Sequence, residues 1–132
     1  SLHLSLLPQT FYVIQLKPGE AIPDKFLSQL GSSNSTALFS ITKNVDETTV
    51  VGEYDSKADI PETYADWRCI KIAGPMDFGL VGVICSFTMP LKAAGVPVFA
   101  ISTWNTDYIL IPRDKIEIAK RALEDDGWTF TQ

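Results

Sequence analysis

The chain has 132 residues, 45% of them hydrophobic and 20% charged, with a formal net charge of -5. That is the composition of a folded domain, or of two very small ones sharing a core, and not of a disordered chain. The acidic balance and the lack of clustered Lys and Arg argue against nucleic acid and anionic membrane as partners, and no apolar run reaches the roughly 18 residues a membrane span needs.

Leu2, Leu4 and Leu6 alternate with His3 and Ser5, which predicts a short first strand. This start has no basic stretch and does not read as a signal peptide, so a cytoplasmic location is the expectation. Phe11 to Leu16 is rich in aromatic and β-branched residues and is closed by Lys17-Pro18-Gly19, a strand running into a turn. A short helix over Pro23 to Leu30 follows, with Gly31 at its end. Leu38 to Lys43 and Thr48 to Tyr54 read as a hairpin about the turn Asn44 to Glu47. Ser56 to Asp66, with Pro61 and few large aliphatic side chains, reads as a linker.

Trp67 to Ala73 is the next predicted strand, closed by Gly74-Pro75. A helix is expected over Gly79 to Ala94, with Val81, Ile84 and Leu91 on its apolar side, a small-residue strip of Gly79, Gly82 and Ser86, and Pro90 bending its last turn. Val98 to Trp104 and Tyr108 to Ile111 form a second hairpin around Asn105-Thr106. Asp114 opens the last helix, and Glu117 three residues on predicts a capping box. Gly127 stops that helix, and Trp128 to Thr131 supplies a final strand.

From Trp67 onward the order is strand, helix, strand, strand, helix, strand. This is the α+β, ferredoxin-like βαββαβ arrangement, with both helices on one face of an antiparallel sheet. The first half reads as a shorter copy lacking its second helix. Val13-Ile14-Gln15-Leu16 echoes Cys69-Ile70-Lys71-Ile72, and Phe39-Ser40-Ile41-Thr42 echoes Phe99-Ala100-Ile101-Ser102. The expected division is an incomplete N-terminal unit over residues 1–60 and a full unit over residues 61–132.

Catalytic chemistry finds little to work with. His3 stands alone near a chain end, no His/Cys/Asp/Glu grouping has metal-ligand spacing, and no glycine loop has the phosphate-cradle pattern. No cofactor is implied. Cys69 and Cys85 each lie in an apolar run and read as buried reduced thiols.

Two stretches are candidates for binding. Gly74 to Leu80 is a strand-to-helix loop whose backbone N–H groups would suit an anion such as a carboxylate; the plainer alternative is that Asp77 caps the helix and nothing binds. Ser102 to Tyr108 gathers hydroxyls, an amide, a carboxylate and two aromatic rings on one hairpin. Turn chemistry accounts for Asn105 and Thr106 more readily than for Ser102, Thr103 and Trp104. Asp107 could pair with an ammonium or guanidinium group.

The run from Asp77 through Phe78, Gly79 and Leu80 to Ile84, then Ala94-Gly95-Val96-Pro97-Val98, resembles the signature of ACT domains, with Phe78 where many members carry proline. Trp67 to Ile72, Gly74 to Phe78 and Ile101 to Leu110 resemble more narrowly the ACT subfamily of the cytosolic arginine sensor CASTOR. The resemblance implies ACT units in tandem, pairing of domains into a homodimer or other homo-oligomer, and an amino acid held between two units. It would carry the ligand site onto Met76, Asp77, Phe78, Gly79 and Leu80, and onto Ser102, Thr103, Trp104, Asn105, Thr106 and Asp107. The expected function is a non-enzymatic regulatory module that binds an amino acid. The rival is a ligand-free module that dimerises or holds a protein partner.

Overall fold

The computed structural model describes residues 3–55, 59–72 and 82–131. It divides into two compact units. One is Gln9–Asp66; the other takes the first eight residues together with Trp67–Gln132. The boundary therefore falls a few residues beyond the one read from the sequence, and the N-terminal segment belongs with the second unit. The reason is strand β1, a single strand over His3–Leu16 where two were predicted. Pro8 and Gln9 do not interrupt it.

In the unit Gln9–Asp66, β1 is followed by helix α1 (Asp24–Gly31), β2 (Ser40–Lys43) and β3 (Thr48–Glu53). β3 pairs antiparallel with both β1 and β2. The core consists of Tyr12, Leu16, Phe26, Val50 and Ile60, with Ile14, Ile22 and Phe39 packed against it. The linker is thus partly structured: Ile60 enters the core, and Glu62–Tyr64 form a single 3-10 turn. The turn between β2 and β3 closes with the Asn44 N–H donating to the Glu47 carbonyl at 3.0 Å, while Asn44 Oδ1 accepts from the N–H groups of Asp46 and Glu47. An asparagine side chain standing in for a backbone acceptor is why this residue suits the turn.

The second unit contains β4 (Trp67–Ile72), helix α2 (Val83–Ala93), β5 (Phe99–Ser102), β6 (Asp107–Pro112), helix α3 (Ile116–Asp125) and β7 (Thr129–Thr131). β6 pairs antiparallel with β4 and with β5, and β7 pairs parallel with His3–Ser5 of β1. Both helices share one core: Phe87 and Leu91 of α2 and Ile116, Ala119 and Leu123 of α3 pack with Ile70, Ile72, Ile109 and Ile111 of the strands. Period-2 alternation on β4 and β6 places these isoleucines on the helix-bearing face. The α+β arrangement expected for this half, two helices on one face of antiparallel strands, is present, but its last strand pairs parallel with the N-terminal segment and not within the expected antiparallel sheet.

Both helices end in the same way. Gly95 and Gly127 have φ of +74° and +96°. Beyond them Val96 N–H donates to Leu91 O, and Trp128 N–H to Leu123 O, at 2.9 and 3.0 Å. These bonds satisfy carbonyls that the helix leaves open, and glycine takes the left-handed position without a Cβ clash.

The helix starts depart from expectation. α2 begins at Val83, after Gly82 at φ +85°, and residues 79–81 of the predicted helix lie outside the described residues. Its buried side is Val83, Phe87 and Leu91, at i, i+4 and i+8, and Phe87 is the anchor that the sequence reading missed. The capping box is not formed. A 3-10 turn over Arg113–Lys115 precedes α3, so Asp114 lies inside a helical turn, and neither segment has a side-chain cap. Cys69 is buried as expected, but Cys85 is exposed, on the outer side of α2.

The two units repeat one ladder. Ser40 pairs with Val51 and Lys43 with Thr48, as Phe99 pairs with Leu110 and Ser102 with Asp107, a constant offset of 59 residues. Leu16 faces Thr48 as Ile72 faces Asp107, in line with the echo of Val13–Leu16 in Cys69–Ile72. In the hairpins the position equivalent to Phe99 is Ser40, not Phe39, one residue from the alignment the sequence suggested.

Candidate functional site

Asp107 is the first residue of β6. It faces Ile72 at the end of β4 on one side and Ser102 at the end of β5 on the other. That central position makes Asp107 5% exposed, one of two buried polar or charged residues among those described; the other is Thr48, also 5% exposed. The Ser102 hydroxyl donates to Asp107 Oδ1 in a short hydrogen bond. No Lys, Arg or His nitrogen among the described residues lies in ion-pair range of Asp107. A carboxylate taken largely out of water is costly unless it is paired and hydrogen-bonded. One hydroxyl meets only part of that need.

The other hairpin candidates separate by role. Thr103 locks the turn: its N–H donates to the Thr106 carbonyl at 2.8 Å and its hydroxyl to the same oxygen at 3.1 Å. Thr103 and Thr106 are thus turn chemistry. Asn105 is exposed and Trp104, at the tip, is 78% exposed. Ser102 and Asp107 are the pair that the ladder brings together. Met76, Asp77, Phe78, Gly79 and Leu80 lie outside the described residues.

Among the described residues there is no grouping of three or more His, Cys, Asp or Glu that could hold a metal ion. Among the described residues no helix is long and apolar enough to cross a membrane. A hollow of about 470 Å3 that the sequence did not announce lies in the unit Gln9–Asp66, lined by Ser28 and Gln29 of α1, by Ser32, Ser35 and Thr36 after it, and by Glu53. Its one legible signal is the polar run Gly31 to Thr36. Glu53 Oε1 there accepts the Ala37 N–H at 2.5 Å, which ties the loop to β3.

The family model described as an ACT domain matches residues 62–125. Subunit 1 of the cytosolic arginine sensor for mTORC1 from Homo sapiens is 39% identical over 51 residues, covering 38% of this chain and 16% of that protein. The Mus musculus protein is 37% identical over the same length. The match thus spans about a sixth of these curated relatives. Among solved structures, protein Atu0741 from Agobacterium tumefaciens superposes with a TM-score of 0.77 at 26% identity, covering 98% of this chain and 92% of that one. The regulatory subunit of aspartate kinase from Thermus thermophilus superposes with a TM-score of 0.64 at 12% identity, covering 96% and 97%, a likeness of fold alone.

Proposed function

We propose, from the match of residues 62–125 to the ACT domain, that this chain is a non-enzymatic regulatory module that binds an amino acid. The observation that carries the reading is Asp107, a buried carboxylate whose partner among the described residues is the Ser102 hydroxyl. A ligand ammonium or guanidinium group would supply the missing counter-charge and add charge-assisted hydrogen bonds. Residues 76–80 would complete the site from the β4–α2 connection. The mechanism is a population shift: the amino acid favours one association state of tandem ACT-like units over another, and a homodimer is the simplest such state.

Thermal unfolding of the chain with each standard amino acid in turn, arginine included, tests this. A ligand at about a hundred times its dissociation constant adds about 2.7 kcal/mol, which raises the midpoint by several degrees in a domain this small. One amino acid is expected to produce the rise. Asp107→Asn, which keeps size and an acceptor for Ser102 but removes the charge, is expected to abolish it. A flat response across the panel would overturn the reading. It would favour the ligand-free interaction module, for which the observation is the exposed Trp104 at the hairpin tip.

A further inference from the structure

Helix α1 buries one residue, Phe26, and turns Lys25, Ser28 and Gln29 toward the polar hollow on one flank. Its other flank carries Asp24, Leu27, Leu30 and Gly31, three or four residues apart and all exposed, the leucines at 47% and 55%. The other unit shows what such a flank lacks. Ile22, Phe26 and Leu30 repeat the spacing of Val83, Phe87 and Leu91. There a second helix, α3, shares the core and Leu91 is fully buried. The unit Gln9–Asp66 has no second α-helix among the described residues, and Leu30 stays in water. The element missing beside Leu27 and Leu30 is a helix.

Helix α2 offers the matching face. Its outer side is Cys85, Ser86, Met89 and Lys92, all exposed, with Met89 at 60%. This side holds a base and no acid, while the α1 flank holds an acid and no base. The outer side of α3 mixes both signs, with Glu117, Arg121, Glu124 and Asp125 exposed, and has no such complementarity. Laid antiparallel, the spacings of α1 and α2 coincide: Asp24 meets Lys92, Leu27 meets Met89, Leu30 meets Ser86 and Gly31 meets Cys85. Acid faces base, the larger side chain of Leu30 faces the smaller one of Ser86, and the helix dipoles run in opposite directions. Neither Asp24 nor Lys92 has an ion-pair partner among the described residues.

We infer that α1 of one copy packs antiparallel against α2 of a second copy of this chain. Each copy carries both faces, so the pairing is heterologous: it runs head to tail, or closes when two copies make it twice. Two helix faces form a small contact, so association is weak and rises with concentration. The pairing uses neither Ser102 nor Asp107, and stands or falls separately from the amino-acid reading.

Sedimentation of the full chain over a concentration series tests it. The parent is expected to self-associate. Leu30→Asp and Met89→Asp, each at an exposed position, are each expected to weaken that association more than about tenfold, because each sets a charge against an apolar partner. Mixed in equal amounts, the two variants are expected to form one-to-one dimers, since one supplies an intact α2 and the other an intact α1. A Cβ at Gly31 would meet nothing within 4 Å, so Gly31→Cys is structurally tolerated. With diamide as oxidant it is expected to give a disulfide-linked species that Cys85→Ser removes. A parent that stays monomeric up to about 1 mM would overturn the pairing. So would single variants that associate like the parent, a mixture that stays monomeric, or cross-linking that Cys85→Ser leaves undiminished.

Discussion

At the scale of the residue, Tyr12 shows how burial sets chemistry that composition does not announce. Its ring is enclosed by the core of its unit, and its hydroxyl is buried with no hydrogen-bond partner among the described residues. Gly52 across the ladder makes room for it: a Cβ there would lie 2.5 Å from the Tyr12 oxygen. Burial pushes the phenol from 10.0 up to about 12. The folded state therefore keeps the proton while the unfolded chain loses it. The stability this represents is fully present below pH 10 and is lost as pH rises toward 12. Tyr12→Phe is expected to leave stability at pH 7 within about 1 kcal/mol of the parent, because it removes an unanswered hydroxyl. It should also flatten the fall in urea midpoint between pH 10 and 12. A variant whose alkaline fall matched the parent would show that another group carries it. The sequence marked Phe11 to Leu16 as a strand, but nothing in it marked Tyr12 as the residue whose hydroxyl goes inside. The same limit applied at the site: Asp107 was legible as a carboxylate on a hairpin, but its burial and its bond from Ser102 depend on being flanked by two strands.

At the scale of the element, ends governed by glycine were legible and ends governed by side-chain caps were not. Gly95 and Gly127 stop their helices because only a left-handed residue lets the next N–H turn back to the open carbonyls. That constraint is local and shows in the sequence. The spacing of Asp114 and Glu117 also looked local, yet the 3-10 turn over Arg113–Lys115 takes the place an extended cap residue would need. Asp114→Ala is consequently expected to change stability by less than about 0.5 kcal/mol in urea unfolding, against about 1 kcal/mol or more for loss of a working N-cap. A larger loss would mean that the capping bond forms in solution. The pairing of the hairpins was likewise within one residue but not on it. Phe39 and Phe99 look alike, but Ser40 is the residue that shares Phe99's ladder position. Residue likeness is a weak guide where a one-residue slip moves every side chain to the other face.

At the scale of the whole molecule, the order of elements from Trp67 onward was readable, and the membership of the first eight residues was not. Period-2 alternation says that a strand exists, not which distant strand it joins, and the pairing of His3–Ser5 with β7 spans nearly the full chain. The two cysteines turn global stability into something measurable. Cys85 is exposed and Cys69 fully buried on β4, its thiol pushed up to about 12 by burial, with a hydrogen bond from the Ile109 backbone N–H opposing. A thiolate-specific reagent at pH 8 is expected to modify one thiol quickly, Cys85, and Cys85→Ser should remove that fast phase. Cys69 should react only through opening of its unit, at a rate set by the population of the open form when reclosing is fast. An amino acid that binds the closed form would slow that reaction by the factor by which it stabilises the unit, about a hundredfold at a hundred times its dissociation constant. The same protection should be absent in Asp107→Asn. Rapid modification of both thiols in the native chain would contradict the burial of Cys69.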